Sequence, residues 1–204
     1  MGIYTKREKI KSIKVFEECV GRTFSVLPLS PNQWTFLALV FAFSAAYFVL
    51  QQQFILGGIF IIISGFIDFV DGAVARRLKK VTVVGAYLDT IIDRYVEFIF
   101  IFPLIFIPLP SFYLPANFWV MLYLFGGMMT TYTKAAAKEK NLRKEELKGG
   151  VLERSERIVL LTIGIFLAAI NIIYLMYVIV LLSILTNVSA FQRISLALSK
   201  AEQR

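Results

Sequence analysis

Six apolar stretches make up most of this chain: roughly Trp34–Leu50, Phe54–Val74, Val83–Ile107, Phe118–Thr131, Ile158–Asn171 and Ile173–Ala190. A helix needs about 20 apolar residues to cross the hydrocarbon core of a bilayer, within a range of about 17–25. The fourth and fifth stretches are short, but each can extend into its flanks. A globule of 204 residues has too little interior for six such segments, since 58% of the residues are hydrophobic and 18% charged. Soluble domains run nearer ~45–50% apolar and ~25% charged. The expected fold is therefore all-α and integral to a membrane, with six transmembrane helices.

Charge sets the expected orientation. The 22 Lys and Arg fall in the N-terminal segment, the Arg76–Arg94 region, the Lys134–Arg157 region and the tail from Arg193. The connections Gln51–Gln53 and Pro108–Ala116 carry none. Positive charge collects on the cytoplasmic side of membrane proteins, so an even number of spans makes this a multi-pass protein of the cell membrane with both termini on the cytoplasmic side. The net charge of +8 then fits anionic lipid rather than nucleic acid. Residues 1–29 mix charged and apolar side chains and read as a cytoplasmic amphipathic helix on the membrane surface; residues 30–204 form the membrane domain. Lys6, Arg7, Lys9, Lys11 and Lys14 flank no apolar run of the signal-peptide kind. Ser30-Pro31-Asn32 is a helix-start signal, and the closeness of Asn171 to Ile173 predicts a tight hairpin between the last two spans. With Cys19 as the single cysteine and no histidine, an internal disulfide and His chemistry are excluded.

Aspartate occurs four times, at Asp68, Asp71, Asp89 and Asp93, all within 26 residues on the second and third spans. One ionised carboxylate inside a span costs about 2.5–3.5 kcal/mol on insertion scales. Asp68 and Asp71 are i,i+3, Asp89 and Asp93 are i,i+4, so each pair shares a helix face. If the two faces meet, four carboxylates converge, and like charges so close need a cation between them. All-oxygen ligands point to Mg2+ or Mn2+ rather than zinc. Gly72, Ala75 and Gly85 clear space for a ligand or a neighbouring helix, and Arg76 can meet a phosphate in a fork-like contact. Carboxylates, dication, small residues and an arginine suit a nucleotide diphosphate. The competing reading of intramembrane aspartates is an ion path, which would make the chain a divalent-cation transporter.

The run Asp68-Phe-Val-Asp71-Gly72-Ala-Val-Ala75-Arg76, eight further residues, then Gly85-Ala-Tyr-Leu-Asp89-Thr-Ile-Ile-Asp93 resembles the signature of the CDP-alcohol phosphotransferases at every fixed position and spacing. The resemblance implies six transmembrane helices around a polar cavity open to the cytoplasm, usually in a homodimer. It implies that Asp68, Asp71 and Asp89 hold two divalent ions, with Asp93 as a further ligand and general base. Gly72, Ala75 and Arg76 would contact the CDP donor. Ser30-Pro31-Asn32-Gln33 resembles the donor-contacting stretch before the first span, with Thr82 joining it, although Ser-Pro-Asn is also an ordinary helix cap.

Members of that family differ in the alcohol they accept. A phosphorylated acceptor calls for a second basic pocket, and Lys134, Arg154, Arg157 and Arg193 are its candidates; the alternative for each is positive-inside anchoring. Tyr132-Thr-Lys134-Ala-Ala-Ala, Gly150-Val-Leu-Glu153-Arg154-Ser-Glu156-Arg157 and Gln192-Arg193 are similar to segments of the phosphatidylinositol-phosphate and archaetidylinositol-phosphate synthases. By that resemblance Lys134, Arg154 and Arg193 grip the phosphate of inositol 1-phosphate, while a CDP-lipid is the donor. Glycerol 3-phosphate as acceptor and CDP-inositol as donor are the alternatives.

Overall fold

The computed structural model describes residues 15–79, 82–142 and 149–199. Among these there is no strand, only an isolated bridge between Phe112 and Leu114. Seven α-helices follow one another: α1, described over residues 15–24, α2 (Pro31–Leu50), α3 (Phe54–Arg77), α4 (Val83–Ile101), α5 (Ala116–Glu139), α6 (Arg154–Ala168) and α7 (Ile172–Leu198), with a short 3-10 turn at Phe102–Ile105.

The helix starts follow from local chemistry. Pro31 stands at the first turn of α2, where a missing N–H is harmless. The Gln33 Oε1 accepts from the Ser30 N–H at 2.7 Å and from the Ser30 hydroxyl at 3.1 Å, the half of a capping box in which the side chain three residues on reaches back to the helix start. The Gly85 N–H donates to the Thr82 hydroxyl at 2.9 Å, capping α4. The Glu153 N–H donates to Glu156 at 2.8 Å at the start of α6. Asn171 caps α7 by accepting from the Ile173 N–H at 3.0 Å, and the two last helices form the expected tight hairpin. The third apolar stretch, read as continuous to Ile107, ends as α-helix at Ile101, because Pro103 cannot continue the hydrogen-bond ladder. The fourth is longer than expected, since α5 runs on through Lys134 and Lys138 to Glu139.

Among the described residues, three helices are long and apolar enough to cross a membrane: Gln33–Leu50 of α2, α3 and α7. The helix α4 has the length but carries Asp89, Asp93, Arg94 and Glu97. In α5 the second half carries Thr130, Thr131, Thr133, Lys134, Lys138 and Glu139, and α6 has 15 residues.

The chain divides into two compact units, one formed by the described residues up to Ser44 with Phe60–Val96, the other by Ala45–Ile59 and the described residues from Glu97 onward. The first unit is cored by Val20 of α1, Trp34 and Ala38 of α2, and Ile67, Val70, Ala73 and Val74 of α3. Phe24 meets the Trp34 ring edge-on at 5.6 Å. A Cβ at Gly21 would lie 2.9 Å from the Ala73 carbonyl oxygen, so only glycine lets α1 dock this closely on α3. In the second unit α7 packs against both α5 and α6, with Ala116, Met176 and Val180 forming one apolar cluster. Its interior is also polar: Glu97, Thr130, Arg157, Ser183, Thr186, Ser189 and Arg193 are all buried.

Candidate active site

Asp68 and Asp71 stand on consecutive turns of α3, Asp89 on α4. One carboxylate oxygen from each lies within 4.8 Å of the others. Asp71 is buried, Asp68 half-buried and Asp89 exposed, so the trio opens outward from a fixed floor. The floor is held by α2, whose Thr35 hydroxyl donates to Asp71 Oδ2 at 2.7 Å. Three carboxylates at this spacing, all hard oxygen donors, fit Mg2+ or Mn2+. The convergence of four carboxylates expected from the spacing is realised for three; the Asp93 Oδ2 lies 3.9 Å from the Arg94 Nη2 on the neighbouring residue.

Arg76 follows one turn after Gly72, and its guanidinium folds back over that glycine. A Cβ at Gly72 would meet Arg76 Nη2 at 3.2 Å and Nη1 at 3.3 Å. The Arg76 Nε donates to Glu17 of α1. Ser30, Gln33 and Thr82, expected to contact a donor, are engaged in the caps of α2 and α4. The side chains of Pro31 and Asn32 lie outside the described residues.

The basic candidates all belong to the second unit. Arg193 is 3% exposed, and its Nε and Nη1 donate to the carbonyls of Gly149 at 2.7 Å and Thr130 at 2.6 Å. Gly149 and Gly150 have φ of 145° and 111°, a backbone that side chains with a Cβ rarely adopt. They deliver the Gly149 carbonyl to Arg193. Arg154 opens α6 and Lys134 lies on α5, both half-buried. Arg157, read with the boundary cations, is instead buried at 1% exposure. It forks onto Glu97, with Nε to Oε1 at 2.7 Å and Nη2 to Oε2 at 3.0 Å. Glu97 and Thr35 were not singled out from the sequence. Glu97 continues the Asp89–Asp93 spacing by another four residues, a signal available to any count of carboxylates; nothing in the sequence marks Thr35.

A carboxylate trio that could hold a divalent cation thus stands on helices of a strongly apolar chain. The chain belongs to the CDP-alcohol phosphatidyltransferase family, whose model matches residues 28–197. It is 32% identical over 189 residues to the archaetidylinositol phosphate synthase of Pyrococcus horikoshii, covering 91% of this chain and 92% of that protein. It is 34% identical over 180 residues to the bifunctional IPC transferase and DIPP synthase of Aquifex aeolicus, covering 84% of this chain and 39% of that longer protein. Its fold matches the crystal structure of Mycobacterium tuberculosis phosphatidylinositol phosphate synthase (PgsA1) with CDP-DAG bound. There the TM-score is 0.76 and the identity 22%, over 89% of this chain and 92% of that one. The same enzyme in complex with manganese and citrate matches with a TM-score of 0.76 and 21% identity, over 89% and 88% of the two chains.

Proposed function

We propose that this chain transfers a phosphatidyl-type group from a CDP-lipid, diacylglycerol- or archaeol-based, to inositol 1-phosphate, releasing CMP. It does so as a homodimeric, six-span protein of the cell membrane with its termini and site cytoplasmic and residues 1–29 as a surface segment. The observation that carries the reading is the full-length likeness to the archaetidylinositol phosphate synthase of P. horikoshii.

Asp68, Asp71 and Asp89 would hold the divalent ions, two per site. Bound there, Mg2+ or Mn2+ supplies charge neutralisation for the donor diphosphate and for the leaving CMP. Gly72 and Ala75 leave room for the nucleotide, and Arg76 meets its phosphates. Asp93 takes the proton of the acceptor hydroxyl as that oxygen bonds to the phosphorus distal to cytidine. The bond from that phosphorus to CMP breaks, and CMP leaves with the electron pair. Lys134, Arg154 and Arg193 bind the acceptor phosphate; three cations suit a phosphomonoester and exceed what serine, choline or free inositol needs.

The likeness to the bifunctional IPC transferase and DIPP synthase of A. aeolicus favours a second reading, with CDP-inositol as donor. Purified protein incubated with CDP-lipid and a panel of inositol 1-phosphate, glycerol 3-phosphate and free inositol, and in parallel with CDP-inositol, separates the two. CMP release with CDP-lipid and inositol 1-phosphate is the expected result. Product from glycerol 3-phosphate alone would keep the phosphate pocket and change the acceptor; turnover of CDP-inositol alone would select the second reading.

A further inference from the structure

We propose that the buried Glu97–Arg157 pair, tied through Thr130, is a positioning device for the acceptor-phosphate residues. The proposal rests on the acceptor reading given above for Lys134, Arg154 and Arg193.

The pair itself has no place in the chemistry, yet it is buried at 5% and 1% exposure. Burying two charges is expensive unless the geometry is good and the remaining donors are satisfied. Here both conditions are met. The fork is bidentate, and the third nitrogen, Arg157 Nη1, donates to the Thr130 hydroxyl at 3.1 Å. That hydroxyl in turn donates to the Gly127 carbonyl at 2.7 Å. The same residue, Thr130, offers its carbonyl to Arg193 Nη1 at 2.6 Å. Thr130 is therefore gripped from one side by Arg157 and grips Arg193 on the other.

The register extends this to the other two cations. Lys134 lies four residues after Thr130 on α5, and Arg154 three residues before Arg157 on α6. Each proposed phosphate ligand is thus within one helical turn of the Glu97–Arg157–Thr130 knot, or hydrogen-bonded to it. Rotating α5 or α6 would carry a ligand away and break the fork at the same time. Apolar side chains of similar volume would pack α4, α5 and α6 as firmly, since replacing a buried ion pair in that way is often neutral or stabilising. What they lack is a direction for the Thr130 hydroxyl.

The test uses the full-length protein and separates direction from packing. Glu97→Leu combined with Arg157→Met removes the pair without leaving a lone charge. Thr130→Val removes only the hydroxyl, and Thr130→Ser keeps it. Steady-state kinetics are measured with CDP-lipid and inositol 1-phosphate, or glycerol 3-phosphate if that is the acceptor the panel selects. The double variant should melt no lower than the parent yet raise the acceptor KM about tenfold, the scale of one hydrogen bond to a charged group. Its kcat and donor KM should stay within about twofold. Thr130→Val should do the same, and Thr130→Ser should restore parental kinetics. Arg193→Ala is the reference. If Arg193→Ala raises the acceptor KM while the double variant and Thr130→Val do not, the positioning role is wrong and the acceptor site stands. Donor and acceptor KM rising together would mark the pair as packing alone. Should the double variant fail to fold, the contrast between Thr130→Val and Thr130→Ser decides by itself. If Arg193→Ala leaves the acceptor KM unchanged, or only an unphosphorylated alcohol is accepted, the acceptor reading has failed and the positioning role falls with it.

Discussion

Around Asp71 the chain gathers like charges; around Arg157 it gathers opposite ones. The first cluster is three carboxylates with oxygens within 4.8 Å, graded from buried to exposed, supported by a neutral hydroxyl from Thr35. The second is a fork with both partners buried and the remaining contacts made to Thr130. Mutual repulsion makes the first arrangement unstable on its own and stable around a cation. The second is complete as it stands. Polar side chains in an apolar chain therefore fall into two kinds, those that need a ligand and those that hold other residues, and sign is what separates them.

The sharpest way to break that contrast is to withdraw what the first cluster needs. Chelation should abolish transfer by the parent protein, and Mg2+ or Mn2+ should restore it, because the proposed reaction relies on a divalent ion to neutralise the donor diphosphate. Full turnover in excess chelator would end the metal reading. Asp93→Asn should lower kcat by about 10²–10⁴-fold, the usual range for a general base, while donor binding survives on the intact trio. A variant that keeps a tenth of the parental turnover would remove Asp93 from that role.

The second cluster should respond in stability rather than chemistry. Glu97→Ala leaves the buried Arg157 charge without its carboxylate and should destabilise the fold by roughly 3–5 kcal/mol, read as a lowered melting temperature in detergent. The same truncation at the exposed Asp89 should leave the melting temperature of the cation-free protein unchanged or raise it, since one repelling charge is gone. Equal losses at both positions would erase the distinction between the clusters. Thr35→Val sits between the two kinds, because the Thr35 hydroxyl holds Asp71. Outer contacts of this sort are worth about 10–100-fold in metal affinity, so the Mg2+ concentration for half-maximal activity should rise by that factor.

The parts legible in the sequence are those carried by local spacing. The apolar stretches gave the helices, and the i,i+3 spacing put Asp68 and Asp71 on one helix face because that face is fixed by the 3.6-residue period, while the i,i+4 spacing gave one member of the trio, Asp89, and one residue outside it, Asp93. The Asn171 cap that starts α7 is equally local; Pro103 carries the same kind of signal, yet the apolar run continues past it to Ile107 and hides the end of α4 at Ile101. The contacts that join distant turns were not legible. Thr35 and Asp71 are 36 residues apart and Glu97 and Arg157 are 60 apart, and no periodicity connects them. Arg157 shows the failure most plainly. Charge counting groups it with Arg154 at a helix start, because the rule that places cations in water cannot see a carboxylate arriving from another helix.

The smallest effect falls on the stretch before α2, where one sequence supports two roles. Ser30 and Gln33 resemble residues that contact a donor, yet both are engaged with each other at the helix start. A cap stabilises whether or not substrate is bound, whereas a donor contact is felt only when the nucleotide is there. Losing a hydrogen bond of this kind at a helix start lowers stability by about 1 kcal/mol. Ser30→Ala should therefore lower the melting temperature by the same increment with and without CDP-lipid, and leave the donor KM within about twofold of the parent. Gln33→Ala should repeat the pattern, because Gln33 accepts both the N–H and the hydroxyl of Ser30. The Gly72–Arg76 turn supplies the contrasting case: Arg76→Ala should raise the donor KM and barely move the melting temperature, since its contact with Glu17 lies at the surface, where ion pairs contribute about 0–1 kcal/mol. A donor KM that rises several-fold in Ser30→Ala, together with a melting shift that appears only when CDP-lipid is present, would assign the stretch to the substrate rather than to the helix.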